Sequence, residues 1–91
     1  KLKLVASRAG TDGSVTIHQD VNLYSSILAE GETVWHALAE NRHAWVQIVK
    51  GEIELNGEIL KQGDGAAISN ETALNFKSLT GETEFLLFDL N

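Results

Sequence analysis

Among its 91 residues the chain has no cysteine, no proline and no methionine, and its lysines and arginines number only seven. Without cysteine, neither a disulfide framework nor a thiolate zinc site can form, and a cytoplasmic protein is the expectation that fits best. The lack of proline removes one kind of turn punctuation, so turns have to be read from Gly, Asn and Asp. The lack of methionine, the first position included, leaves the sequence readable as trimmed, as a domain cut from a longer protein, or as a chain that has lost its first residue. No apolar run approaches the roughly 18–20 residues of a membrane-crossing helix, and KLKLVASRAG is too short and too interrupted for a signal peptide. The basic residues are scattered over Lys1, Lys3, Arg8, Arg42, Lys50, Lys61 and Lys77, and thirteen acidic residues bring the net charge to −6. Phosphate backbones are held by clustered basic groups. Neither nucleic acid nor membrane is therefore expected as a partner.

What is present has the pattern of strands. Turn signals stand at TDG (11–13), AEGE (29–32), KGE (50–52), NGE (56–58), QGDG (62–65) and TGE (80–82). Between them lie KLKLVA, SVTI, VNLYSSIL, TVWHA, AWVQIVK, EIEL, GAAIS, ALNFKS and EFLLFDL, all rich in β-branched, aromatic or alternating apolar residues. About nine short strands at turn spacings near ten residues predict an all-β sandwich or barrel, one domain over residues 1–91. Asn56-Gly57, between EIEL and EIL, predicts a two-residue type I′ hairpin, which needs positive φ at both central positions. The nearest helical candidate, AEGETVWHALAENR, is broken by Gly31, Thr33 and Val34.

Three stretches in order, DGSVTIHQDVNLY, HALAENRHAWVQIVKG and LKQGDGAAIS, resemble the C-terminal cupin domain of pirin-like bicupins, the family that includes bacterial quercetin 2,3-dioxygenases. The resemblance covers essentially the whole chain. It implies a single jelly-roll β-barrel of short antiparallel strands. In such bicupins the metal chemistry, where it exists, belongs to the N-terminal domain.

The resemblance also allows the cupin metal pattern to be laid on the sequence. His36 takes the first histidine position, Leu38 the second, Ala44 the glutamate position and Leu74 the last histidine, with Ser69 and Glu71 where the pattern has proline and glycine. Two spacings depart by one residue, with four residues between Gly31 and His36 and five between Leu38 and Ala44. A non-haem iron, manganese or nickel centre needs several imidazoles or carboxylates converging from different strands. Leu38, Ala44 and Leu74 have no lone pairs to give. No resident metal or cofactor is expected, and the positions read as vestigial. Period-2 alternation agrees: Val34, His36 and Leu38 share one face, as do Ala44, Val46 and Ile48.

His36 reads as a neutral imidazole packed in the barrel with one hydrogen-bond partner. The competing roles, ligand or acid/base catalyst, find no carboxylate at the ligand-like positions to tune it. His43 reads as a loop or edge residue and His18 as a turn residue beside Asp20; a substitute site built from His18, His36 and His43 stays open at this level. No serine stands in a G-x-S-x-G elbow, and QGDG lacks the helix and lysine of a phosphate cradle.

The outward phase carries Trp35, Trp45, Gln47 and Val49. Aromatic residues outside a small barrel are costly unless covered, so these four are the candidate interface to a homodimer partner or to a second, N-terminal cupin domain. If the apolar interior is open, His36, Val46, Ile48 and Phe76 would line a small-molecule pocket. Three functions follow from different classes: a metal-free structural or docking domain, a small-molecule binder, and an enzyme of dioxygenase type with an atypical site around His36. The first is the preferred reading.

Overall fold

The computed structural model describes residues 2–7, 15–16 and 21–90. They form ten strands: β1 (Leu2–Ser7), β2 (Val15–Thr16), β3 (Val21–Ala29), β4 (Thr33–Ala37), β5 (His43–Lys50), β6 (Glu52–Leu55), β7 (Glu58–Lys61), β8 (Gly65–Ser69), β9 (Ala73–Ser78) and β10 (Glu82–Leu90). The strand beyond the nine predicted runs is β7, the return arm of the Asn56-Gly57 hairpin. Its turn has the expected positive φ at both positions, 47° and 89°. No helix of the described residues is long and apolar enough to cross a membrane.

Two sheets result, one of six strands in the order β2-β1-β3-β10-β5-β8 and one of four in the order β4-β9-β6-β7. Neighbours run antiparallel except β1 and β2, which pair in parallel, a departure from the all-antiparallel expectation. The nine-residue β10 lies at the centre of the larger sheet, in unbroken register with β3 from Glu82–Ala29 to Leu90–Val21. On its other side it pairs with β5, with an irregularity between Glu84 and Phe85.

Alternation decides what lies between the sheets. From the larger sheet come Leu28, Ala44, Val46, Ile48, Phe85 and Leu87; from the smaller come Ile53, Leu55, Leu74 and Phe76, with Leu38 following β4. Phe76 and Phe85 stack across the gap with ring centroids 4.5 Å apart. This is the alternating, half-buried pattern of a two-sheet sandwich.

The core is capped at each end of β10 by polar side chains. At its start, Ser78 Oγ lies 2.7 Å from Thr83 Oγ1, which also reaches the carbonyl oxygen of Glu52 at 3.0 Å. Asp89, six residues further along, belongs to the other cluster, about 20 Å away at the usual strand rise.

Candidate functional site

The site is assembled by strand phase. Val34 and His36 turn toward the core while Thr33, Trp35 and Ala37 face solvent. His36 stands directly across from Leu74 in the β4–β9 ladder. In the facing sheet, Ala44 of β5 stands directly across from Asp89 of β10. The four positions picked out by the cupin pattern thus gather at one end of the sandwich, and the Asp89 carboxylate lies beside Ala44. Between β4 and β5 the chain turns at 39–42, with Asn41 at φ 66° and the Arg42 N–H donating to the Ala39 carbonyl. Asn tolerates this left-handed conformation. The turn delivers Arg42 to the same end.

There His36 Nε2 meets Asp89 Oδ2 at 2.8 Å. Arg42 Nε donates to Asp89 Oδ1 at 2.5 Å, and its Nη2 donates to the Asp89 backbone carbonyl at 2.8 Å. The Tyr24 ring sits 4.9 Å from the His36 ring, tilted by 58°. All three charged or ionisable side chains are shielded, with exposures of 14% for His36, 18% for Arg42 and 8% for Asp89. Burial by itself pushes the Asp89 carboxyl up; the hydrogen bond from His36, then the hydrogen bond and charge of Arg42, outweigh it and hold the group below its ordinary value. An ionised Asp89 only accepts, so the shared proton resides on His36 Nε2.

The cluster adds a carboxylate that the ligand-like positions did not offer to His36. None stands at the ligand-like positions, but Asp89 arrives from β10, 53 residues away in sequence. The signal was present in EFLLFDL, where Asp89 is in phase with the buried Phe85 and Leu87. A carboxylate on an inward phase needs a partner. Arg42, in a turn, carried no such signal.

A metal centre does not fit these residues. Leu38, Ala44 and Leu74 are buried, at 4%, 2% and 0% exposure, and none bears a donor atom. The ring nitrogen of His36 that faces Asp89 is occupied by it. Among the described residues no three His, Asp or Glu side chains are grouped to hold an ion. His43 starts β5 on its outward phase and shares a hydrogen bond through Nδ1 with Ser69 Oγ at 2.8 Å, so it does not join His36. His18 lies outside the described residues.

The remaining candidates fall into two groups. Val46, Ile48 and Phe76 are at most 1% exposed and belong to the packed core. Trp35 and Trp45 both point outward, but from different sheets, so the structure does not bring them into one patch. Trp35 flanks a depression on the outside of the smaller sheet. Trp45 lies with Gln47, Leu86, Phe88 and Leu90 around a shallow groove of about 330 Å³ on the outside of the larger one. Val49 is exposed near the end of β5.

Residues 4–90 match the family model described as the quercetinase C-terminal cupin domain. The chain belongs to this family. It is 40% identical over 88 residues to the quercetin 2,3-dioxygenase of Escherichia coli K12, a match that takes in 97% of this chain and 38% of that protein. The crystal structure of YhhW from Escherichia coli superposes with a TM-score of 0.96 at 39% identity, covering 99% of this chain and 38% of that one. A structure of the bacterial pirin YhhW in complex with nickel(II) gives 0.94 at 39% identity, covering 99% of this chain and 39% of that one. The chain therefore spans well under half the length of these relatives.

Proposed function

We propose that residues 1–91 form one non-catalytic cupin domain with a structural or docking role, corresponding to the C-terminal part of a quercetinase-type protein. The observation that carries this reading is the ion-pair cluster at the pattern positions. Asp89 stands across from Ala44, bonds His36 and is clamped by Arg42, and the neighbouring positions are filled by Leu38 and Leu74. A cation is thus already in place, as a guanidinium. The His36–Asp89 pair resembles the orienting half of an acid/base dyad, but here the carboxylate is shared with Arg42 and the cluster is internally satisfied.

The names of the relatives speak of quercetin dioxygenation and nickel, and these belong to proteins of which this chain matches 38–39%. In a full-length protein of this type we place such chemistry outside the present residues. The tight packing of Val46, Ile48 and Phe76, with Phe76 stacked on Phe85, speaks against a ligand pocket in the interior. A cytoplasmic location remains part of the proposal.

The test is metal content per chain by elemental analysis, on untagged protein grown with iron, manganese, nickel and zinc supplied. The expected ratio is near zero. A ratio near one that His36→Ala abolishes would replace this reading with an enzyme or a metal-dependent binder.

A further inference from the structure

The Asn56-Gly57 turn has no part in the proposed function, yet it carries chemistry of its own. Among Asn22, Asn41, Asn56, Asn70 and Asn75, Asn56 alone is followed by glycine. With no side chain on the following residue, the backbone nitrogen is free to swing onto the asparagine carboxamide. The fold holds one of these two reactants and leaves the other open. Asn56 follows β6 at φ 47°, and it carries the ladder to β9 one step further as the main chain turns away. Its backbone N–H donates to the Asn75 carbonyl at 3.0 Å, its Oδ1 accepts the Asn75 N–H at 2.7 Å, and its Nδ2 donates to the Ala73 carbonyl at 3.1 Å. Both ends of the carboxamide are thus turned to β9. The Gly57 N–H has no hydrogen-bond partner among the described residues, and the space where a Cβ would stand is open.

We infer that Asn56 is a site of spontaneous deamidation, kept closed by its bonds to β9 and exposed when the β6–β7 hairpin opens. In the reaction the Gly57 nitrogen bonds to Asn56 Cγ and the Cγ–Nδ2 bond breaks. Nδ2 leaves as ammonia, taking the proton that the Gly57 nitrogen gives up. Water then opens the cyclic imide at either carbonyl, leaving aspartate or isoaspartate, and no electrons are transferred. Either product weakens the corner. The aspartate still accepts from the Asn75 N–H, but its second oxygen faces the Ala73 carbonyl, two acceptors with no proton between them. Isoaspartate also routes the main chain through Cβ and breaks the type I′ turn. The strand at risk is β7, which lies at the edge of the smaller sheet and pairs with β6. Its Leu60 packs against the core, so release of the hairpin uncovers apolar surface.

The test uses the wild-type protein, incubated at mildly alkaline pH with and without denaturing urea, and peptide mapping that separates asparagine, aspartate and isoaspartate at position 56. Loss of Asn56 should be at least about tenfold slower in the folded protein, because the bonds to β9 must break before the ring can close. In urea Asn56 should react before Asn22, Asn41, Asn70 and Asn75. Equal rates with and without urea overturn the gating, and earlier loss of another asparagine in urea overturns the assignment. Native-state hydrogen exchange reads the consequence. In Asn56→Asp the Asn75 amide should exchange at least about fivefold faster than in the wild type, with Val46 and Leu87 unchanged. Unchanged exchange at Asn75 would overturn the part of the inference in which modification loosens the corner.

Discussion

Asp89 shows how one inward carboxylate can define the end of a barrel. With its partners shielded from water, Asp89→Ala leaves Arg42 and His36 without their acceptor and should cost about 2–3 kcal/mol of unfolding free energy, read by urea titration. His36→Ala removes one hydrogen bond and should cost about 1–2 kcal/mol. The double variant should cost less than the sum, and strict additivity would mean that the two side chains do not act together. The pH dependence has a definite sign. The folded Asp89 titrates below its ordinary value of 3.8, so its contribution is fully present above that value and is lost as pH falls through the lower, folded-state one. The stability of the wild type relative to Asp89→Asn should therefore shrink as pH falls below about 4. A difference that does not shrink in that acid range would contradict the ion pair.

At the scale of elements, two corners test the sandwich separately. Gly51 joins β5 to β6 at φ 81°, and an added Cβ would fall 2.6 Å from the Glu82 carbonyl oxygen, 2.6 Å from Thr80 Oγ1 and 2.8 Å from Thr83 Oγ1. Gly51→Ala should thus cost about 2–4 kcal/mol, through both backbone strain and collision with the polar cap around Thr83. Gly57 has a similar φ of 89° but open space around its Cβ position, so Gly57→Ala should cost only about 1 kcal/mol. Equal effects in thermal unfolding would mean that the Thr83 cap contributes nothing to the corner. β10 illustrates a limit of strand reading. Its inward residues were legible from alternation, but the run EFLLFDL falls two residues short of the nine-residue strand, which begins at Glu82 inside the predicted TGE turn. That its other face is apolar as well was visible in EFLLFDL, but its central place in the larger sheet, between β3 and β5, follows from pairings 50 or more residues apart with β3 and 30 or more with β5.

For the whole molecule, the sandwich of short strands was readable because it depends on local pattern, and the resemblance to cupins implied that Leu38, Ala44 and Leu74 stand where that family's pattern has ligands. Turn residues mark where strands end, period-2 alternation marks which side chains face inward, and an aliphatic side chain cannot ligate a metal in any fold. The same logic placed Trp35 and Trp45 outside the barrel. It could not show that they face opposite ways, since that depends on which sheet each strand joins. Nor could it reveal that His36, Arg42 and Asp89 meet. An exposed or buried phase is a property of a few neighbouring residues, whereas an ion pair spanning 53 positions requires both sheets to close on one another. The amino-acid sequence by itself determined the strand pattern and the inward set, because these follow from backbone geometry and side-chain chemistry. The tertiary structure alone decided that His36, Arg42 and Asp89 meet at one end of the sandwich and which sheet each tryptophan joins, because those depend on long-range register between strands.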